Sequence, residues 1–344
     1  MKNDRRKPAF IIFLLTVISL LAGCQTGDGA ETATQTKFML GTVITLTSYQ
    51  KDADDALSAA FDRIAQIESE MSAKKAGTEI DTLNTKGTNK LTSDVFYVLK
   101  KALEMAKLSK GAFDPTVLPL SRLWGIDDDT KAKIVPAARE IEKARALVDY
   151  KKVGLDAKTR TAAIQTGMGV DLGGIAKGYA ADEARRIFKE KGVKSAILDL
   201  GGNVVAIGNR PDGQPWRIGI RDPRAREEGG YYAVLSVRDQ VVVTSGDYER
   251  YFEVNGVRYH HIFDTATGYP AKNGVISATI ISGNSTEADA LSTAVFVLGV
   301  EKGLALVESV EGTEAVIVTD DKKVYTTPGI RDKVEIVSKE YVLQ

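Results

Sequence analysis

GGIAKGYAADEARRIFKEKGVKSAILDLGGNVVAIG, residues 173–208, contains both kinds of element from which this chain is built. A glycine pair opens a segment of helical character that ends at Gly192, and two short strand-like stretches follow around a second glycine pair. Short strand-like stretches continue from about residue 150 to the end, with amphipathic helices before and among them. The pattern predicts an α+β fold with mixed or antiparallel sheets and helices packed outside them.

Helical apolar spacing outside this stretch predicts further helices. Leu57, Phe61, Ile64 and Ile67 recur at helical intervals. The predicted helices cover about residues 52–72, 92–111, 136–148, 285–299 and 300–310. Residues 111–125 are apolar but interrupted by prolines, which predicts a buried irregular segment.

Composition limits the possible functions. The 344 residues carry 46 basic and 46 acidic side chains, and this balance argues against nucleic-acid binding, which needs a basic excess on some face. Cys24 is the only cysteine. The chain therefore has no intramolecular disulfide, no thiolate zinc site and no cysteine nucleophile elsewhere in the sequence.

The first 23 residues have the form of an export signal, with a cationic start and an apolar run too short to span a membrane. Residues 21–24, LAGC, match a bacterial lipobox, in which the thiol of Cys24 receives a diacylglycerol. We expect a signal peptide over 1–23, a lipidated cysteine and flexible tether over 24–37, and a folded domain over 38–344. Such a lipoprotein is exported and anchored to the outer or periplasmic face of a membrane; the alternative is a buried anchor helix with a chance cysteine.

The glycine pair at Gly173 and Gly174 lies between a predicted strand and a predicted helix. Glycines there let a ligand approach the backbone, and a helix N-terminus offers free N–H groups to an anion. Neither the G-x-G-x-x-G nor the Walker spacing is present, so a simple tight turn is an equally good interpretation. Asp171 and Lys177 flank the turn and, judged singly, are more often solvated than functional.

Asp289 and Thr293 are four residues apart and share one face of a predicted helix, with Glu287 and Ser292 nearby. A carboxylate and a hydroxyl beside main-chain carbonyls suit a hard cation such as Mg²⁺. The alternative is an exposed Asp289 and a Thr293 bonded back to its own helical turn.

His260 and His261 are the only histidines and are adjacent. Neighbours on a strand point to opposite faces, so one imidazole can face a cleft while the other packs or is solvated. A neutral imidazole is the usual general base for a hydroxyl near pH 7. A purely structural role is the alternative for either residue.

Eight segments, taken together and in order, resemble the FAD:protein FMN transferase family, the ApbE-type flavin transferases. They are LGTVITL (40–46), EMSAKKAGTEIDTLN (70–84), KGAFDPTVLPLSRLWG (110–125), VDLGGIAKGYAADEA (170–184), LDLGGNVVAIG (198–208), TSGDYERYF (244–252), YHHIFDTATGYPA (259–271) and STEADALSTAVFVLG (285–299). The resemblance extends from about residue 38 to the end of the chain.

The resemblance implies an Mg²⁺-dependent enzyme that splits FAD at its pyrophosphate, releases AMP and attaches FMN to a threonine or serine of an acceptor protein. It implies metal ligation by the Gly174 carbonyl, Asp289 and Thr293, with Ser292 standing where some members have a carboxylate. It implies His261 as the base. The implied flavin and adenine contacts are Leu40, Lys74, Ala112, Phe113, Asp114, Asp171, Lys177 and Phe263. Leu40 replaces a usual methionine and Lys74 a commoner aromatic residue.

Two other functions are compatible with these residues. A metal-dependent FAD pyrophosphatase would use the same site with water in place of the protein hydroxyl. A non-catalytic flavin-binding lipoprotein would be built of two similar lobes, and the sequence has no repeated half.

Overall fold

A computed structural model describes residues 32–128, 130–225 and 229–344 of the chain. The α-helices of these residues are α1 (Asp54–Met71), α2 (Glu79–Lys86), α3 (Ser93–Leu108), α4 (Leu118–Trp124), α5 (Ala138–Arg145), α6 (Ala176–Glu190), α7 (Ser285–Leu298) and α8 (Val300–Glu308). Short 3-10 helices occupy Tyr150–Lys152 and Pro328–Lys333. No helix of the described ranges has the length and apolar character needed to cross a bilayer.

The strands are β1 (Ala33–Met39), β2 (Thr42–Ser48), β3 (Thr88–Lys90), β4 (Gly154–Asp156), β5 (Thr161–Ala163), β6 (Ser195–Leu200), β7 (Asn203–Gly208), β8 (Trp216–Arg221), β9 (Tyr231–Val237), β10 (Val241–Gly246), β11 (Tyr251–Val254), β12 (Val257–His260), β13 (Phe263–Asp264), β14 (Tyr269–Pro270), β15 (Val275–Ser282), β16 (Glu314–Thr319), β17 (Lys323–Thr326), β18 (Val334–Ile336) and β19 (Val342–Leu343).

One large sheet organises the domain, in the order β1-β2-β6-β7-β10-β15-β16-β17-β19. Its neighbours pair antiparallel except β17 and β19, which are parallel. Smaller sheets have the orders β18-β9-β8 and β3-β5-β4, and two hairpins, β11-β12 and β13-β14, follow one another in the chain. The predicted α+β class with mixed, mainly antiparallel sheets is confirmed.

The large sheet is buried on both faces. All eight residues of β15 are buried. Ile280 belongs to the main core, which also contains Phe61 and Phe188 of the helices, whereas its neighbour Ile281 belongs to a second core with Tyr232 of β9. Successive side chains of a strand point to opposite faces, so the helices cover one face and the β8-β9 sheet the other.

Three local expectations were wrong. Residues 33–37 belong to β1 rather than to a tether, since they pair with β2 and the hydroxyls of Thr36 and Thr45 lie 3.0 Å apart. Helix α4 lies within the stretch expected to be irregular, because a proline in the first turn removes no helical hydrogen bond. Helix α2 was not predicted, although Thr78 caps it and Gly87 ends it with φ of 75°. Residues 1–31, including Cys24 and the predicted signal, lie outside the described residues.

Candidate active site

Helices α6 and α7 cross at Gly178, and this contact fixes the centre of the site. A β-carbon at Gly178 would lie 2.2 Å from the carbonyl oxygen of Ser285 and 2.8 Å from Cβ of Asp289. Any larger residue would therefore push the helices apart. The sequence needs glycine here because the backbone of one helix touches the other.

Asp182, one turn further along α6, holds the N-terminus of α7. Its carboxylate accepts hydrogen bonds from the N–H groups of Ser285 and Thr286, at 2.9 and 2.8 Å, and from the Thr286 hydroxyl at 2.6 Å. These are helix-end donors that have no partner within the helix. Burial raises the pKa of Asp182, although these hydrogen bonds favour its charged form. These hydrogen bonds fix the first turn of α7 against α6, and therefore also the position of the following turn.

Asp289, on that next turn, is buried, with 3% of its surface exposed. Its Oδ1 accepts a hydrogen bond from Nζ of Lys177 at 3.0 Å, and its Oδ2 accepts one from N–H of Gly178 at 2.9 Å. The alternative of a solvated helix-surface carboxylate is therefore excluded. A buried carboxylate held by an ammonium and a main-chain N–H is an anionic anchor at the helix crossing.

Neutral oxygens lie beside Asp289 on α7 and on the neighbouring strand. The hydroxyl of Ser292 donates to the Asp289 carbonyl at 2.8 Å and lies 2.8 Å from that of Ser245 on β10. The Ser245 hydroxyl also lies 3.4 Å from that of Thr293. Gly174 adjoins the group, since a β-carbon there would lie 3.7 Å from Oγ1 of Thr293. The structure thus brings Gly174, Asp289, Ser292 and Thr293 together.

This donor set suits a hard divalent cation, because every donor is oxygen and one is a carboxylate. Within residues 32–128, 130–225 and 229–344, no group of three or more His, Cys, Asp or Glu side chains could hold a metal. Any cation bound here would consequently keep open positions for water or substrate oxygens, as Mg²⁺ does with phosphates.

The loop before α4 closes one side of this group. The Phe113 ring would lie 3.1 Å from a β-carbon at Gly174, so it packs directly on the glycine corner. Asp114 is buried, and its carboxylate accepts hydrogen bonds from Thr116 and from N–H of Tyr150 at 3.0 Å. Burial raises the pKa of Asp114. Since these groups already occupy the carboxylate, Asp114 shapes the loop, and the loop's main chain is freer to contact a ligand.

His260 is the buried member of the histidine pair. Its Nε2 lies 3.0 Å from the Ala271 carbonyl, its Nδ1 accepts from N–H of Ile262 at 3.3 Å, and its ring meets Phe296 edge-on at 5.3 Å. Both ring nitrogens are thus occupied by main-chain partners. Phe296 follows Asp289 by two helical turns, so the histidine segment packs along the same face of α7. His260 is a structural residue.

His261 is only partly covered. Its Nδ1 lies 3.2 Å from the Arg250 carbonyl. A carbonyl can only accept a hydrogen bond, so the proton is on Nδ1 and the Nε2 lone pair is free. Protein atoms packed around the ring withhold water from it, and this desolvation, followed by the positive charges of Arg250 and Lys177, holds the pKa of His261 well below its usual value. His261 is therefore a neutral base at pH 7, in the electrostatic range of Lys177.

Ionic contacts among Lys74, Asp127 and Arg250 join three chain segments. We call the part of the site formed by these residues and His261 the rim. Oδ2 of Asp127 accepts from Nζ of Lys74 at 3.2 Å and from Nη1 of Arg250 at 2.5 Å. The other carboxylate oxygen of Asp127 is buried and has no hydrogen-bond partner. The Lys74 side chain is 60% exposed and the Arg250 side chain is 50% exposed. The predicted contact residue Lys74 therefore lies on the same rim as the segment that orients His261.

The remaining predicted contacts have separate positions. Leu40 forms the β1-β2 turn with left-handed φ of 53°, an uncommon conformation for leucine. Phe263 is buried in a small core around Trp124, and Thr265 ties the same segment to the loop of Ala112 by donating to the Gly111 carbonyl at 2.8 Å. Asp171 accepts from N–H of Gly173 at 2.8 Å and so shapes the glycine turn. Leu40 makes no recorded hydrogen bond or ring contact with the Asp289 group.

Sequence reasoning missed Ser245, Asp182 and Asp127. Ser245 lies in the segment TSGDYERYF (244–252), but a serine before a glycine usually marks only a turn. Asp182 and Asp127 contact residues more than 100 positions away, and no local pattern carries such pairings. The one available signal was the spacing of Asp182, which follows Gly178 by four residues and therefore shares its face of the predicted helix.

Comparison with known proteins places this site in a family. The sequence model described as the ApbE family matches residues 40–317. The chain belongs to the ApbE family. The matched range contains every predicted site residue other than Cys24.

ApbE relatives resemble this chain over nearly its whole length. An FAD:protein FMN transferase of Treponema pallidum is 35% identical, with 96% of each chain covered. One from Vibrio cholerae is 31% identical, covering 89% of this chain and 93% of the relative. The crystal structure of an ApbE protein from Thermotoga maritima has a TM-score of 0.81 and 34% identity, covering 88% of this chain and 99% of that one. The predicted family resemblance and fold are confirmed.

Proposed function

We propose that this chain is an FAD:protein FMN transferase that uses Mg²⁺. One observation carries the proposal: an oxygen-rich group that includes Asp289 lies on α7, and the segment that holds the neutral, oriented His261 packs on the same helix through His260. The similarity to FAD:protein FMN transferases over nearly the whole chain supports the same activity. FAD is then a substrate, and the second substrate is a protein that offers a threonine or serine hydroxyl.

Asp289, Thr293 and the Gly174 carbonyl, with Ser292 beside them, would hold Mg²⁺. When bound there, the cation supplies positive charge to the pyrophosphate of FAD, and charge neutralisation with positioning accounts for most catalysis of phosphoryl transfer. The packed helix crossing keeps these oxygens in place without rearrangement.

His261 would act on the acceptor. Its Nε2 takes the hydroxyl proton as the acceptor oxygen bonds to the FMN-side phosphorus, and the bond from that phosphorus to the bridging oxygen breaks. AMP leaves with that oxygen and its electron pair. The products are a phosphoester-linked FMN, AMP and one proton on the imidazole, which water later removes. A positioned base of this kind contributes about 10²–10⁴-fold.

The test is incubation of purified chain with FAD, Mg²⁺ and a candidate acceptor, followed by mass spectrometry of the acceptor and assay of AMP. Covalent FMN on a hydroxyl side chain with equal AMP release is expected, and Asp289→Ala should abolish both. FMN and AMP without acceptor modification would instead identify a pyrophosphatase. FAD binding with no AMP at all would identify a flavin carrier.

We also propose that the chain is an exported lipoprotein attached to a membrane through Cys24. The cationic start, apolar run and LAGC sequence support this proposal. Expression of the full chain with a labelled fatty acid tests it. The parent should incorporate label and sediment with membranes, whereas Cys24→Ser should do neither, and labelling of Cys24→Ser would contradict the proposal.

A further inference from the structure

We infer that Lys177 is an exchangeable counter-ion: it neutralises Asp289 when no divalent cation is bound, and it is released to the substrate phosphates when a cation takes the carboxylate. The inference rests on the cation site of the proposed function. It assigns Lys177 a role that couples cation binding to FAD binding.

The two hydrogen bonds to Asp289 differ in what they allow. Gly178 donates from the main chain of α6 at a tight helix crossing, so this bond is fixed. Lys177 donates from the end of a flexible side chain that is 25% exposed, whereas the Asp289 side chain is 4% exposed. One oxygen of the carboxylate is therefore held permanently, and the other is held by a group that can move away.

A buried carboxylate needs this partner. An ionised group in a protein interior is costly unless it is paired and hydrogen-bonded. Glu287, the nearest acidic residue on α7, is already paired with Lys101, with Nζ and Oε1 2.9 Å apart. Among the ion pairs of the described residues, Lys177 is thus the cationic side chain that pairs with Asp289.

A divalent cation and the ammonium compete for the same oxygen. Lys177 Nζ lies 3.0 Å from Oδ1, so a cation bound to that oxygen would lie close to the ammonium, and two positive charges close together repel strongly in a buried site. Lys177 therefore has to move away from Oδ1, and its partly exposed side chain lies near enough to His261 to help lower the pKa of that residue. A dinucleotide pyrophosphate bound beside His261 is an anionic partner for the released ammonium.

Coupling follows from this exchange. Without FAD, cation binding must separate the Lys177–Asp289 pair, which weakens the observed cation affinity. With FAD, the ammonium gains a new anionic partner, so the cation binds more tightly. By linkage, the cation must tighten FAD binding by the same factor.

Calorimetric titration with Mn²⁺, with and without FAD, tests the inference in the parent and three variants. Lys177→Met should bind Mn²⁺ at least tenfold more tightly than the parent without FAD, because the competing cation is gone. FAD should tighten Mn²⁺ binding at least fivefold in the parent and less than twofold in Lys177→Met. Lys101→Met is the matched control: it removes the ion pair that Lys101 makes with Glu287 of α7, and it should bind Mn²⁺ as the parent does. Asp289→Asn should lose Mn²⁺ binding.

Thermal unfolding supplies a second readout. Lys177→Met leaves Asp289 without its counter-ion, so its midpoint in EDTA should fall below that of the parent, and saturating Mn²⁺ should raise it by more than in the parent. Should Lys177→Met not fold in EDTA, Lys177→Gln keeps a hydrogen-bond donor without the charge, and the same order of affinities is expected for it.

The outcomes separate the two proposals. Equal or weaker Mn²⁺ binding by Lys177→Met and Lys177→Gln, with binding lost in Asp289→Asn, would overturn the exchange and leave the cation site standing. Unchanged Mn²⁺ binding in Asp289→Asn would overturn the cation site itself.

Discussion

The helix crossing and the histidine rim hold their functional groups in different ways. At the crossing of α6 and α7, Asp182 is half-buried, Asp289 is buried, and each uses both carboxylate oxygens in hydrogen bonds. At the rim, His261 is oriented by one carbonyl, and exposed ion pairs join the surrounding loops. The comparison indicates that the helix crossing is a rigid region that fixes the position of a negative charge. The rim is an adjustable region where an acceptor can bind and His261 can take a proton.

The largest effect is expected from breaking the crossing. Gly178→Ala places a methyl group 2.2 Å from the Ser285 carbonyl oxygen, so the helices must separate and carry Asp289 with them. Overpacking of this kind costs about 1–3 kcal/mol of stability. AMP release from FAD should fall at least about 10²-fold, since a misplacement of about 1 Å can cost that much. Gly283→Ala, which has open space around its β-carbon, is the control; equal activity of the two variants would show that the crossing does not position the site.

Removal of the base at the rim is expected to have a narrower effect, confined to the transfer step. His261→Ala should slow FMN transfer by about 10²–10⁴-fold under single-turnover conditions. FAD affinity should change little, because the oxygens of the crossing remain. Calorimetry with FAD and quenched-flow assay of AMP measure the two effects. Transfer at the parent rate would remove His261 from the mechanism.

These two variants also show how far sequence reasoning reaches. The pairing of Asp289 with Thr293 followed from helical periodicity alone, and the order of eight segments indicated the family. The contact of Lys177 with Asp289 spans 112 residues, and the clamp of Asp182 on Ser285 spans 103. Such contacts depend on how two helices pack on a sheet, and neither spacing nor composition specifies that geometry.

The pH dependence of activity and stability tests the protonation state of His261. The pKa of His261 is lowered in the folded chain, so Nε2 remains unprotonated below the unfolded value of about 6.5. The acid limb of kcat/KM should therefore lie below pH 6.5. Below that pH the unfolded chain binds a proton that the folded chain does not, so the parent should lose stability relative to His261→Ala as pH falls. An acid limb at or above pH 6.5 would contradict a base that is neutral at pH 7.

The smallest effect is expected from the ionic contacts of the rim. Asp127→Asn removes the shared anion of Lys74 and Arg250, and exposed ion pairs contribute about 0–1 kcal/mol. KM for FAD should rise by no more than about fivefold, with kcat nearly unchanged. Glu68→Gln, which disrupts the pair of Glu68 with Lys75, is the matched control. A large fall in kcat for Asp127→Asn would mean that the rim is as rigid as the crossing.

Helix α6 has a further consequence for where the reaction takes place. Its first turn lies in the site, and the segment after its last turn meets β2, where the amide of Gln50 donates to the Gly192 carbonyl beside Ser48, the pairing partner of Ala33. The fifteen residues of α6 span about 22 Å. The described chain thus enters the domain at the end far from the catalytic groups. With Cys24 acylated as proposed, the described chain would begin on the side of the domain that carries the lipid attachment, and the length of α6 would separate that side from the catalytic groups.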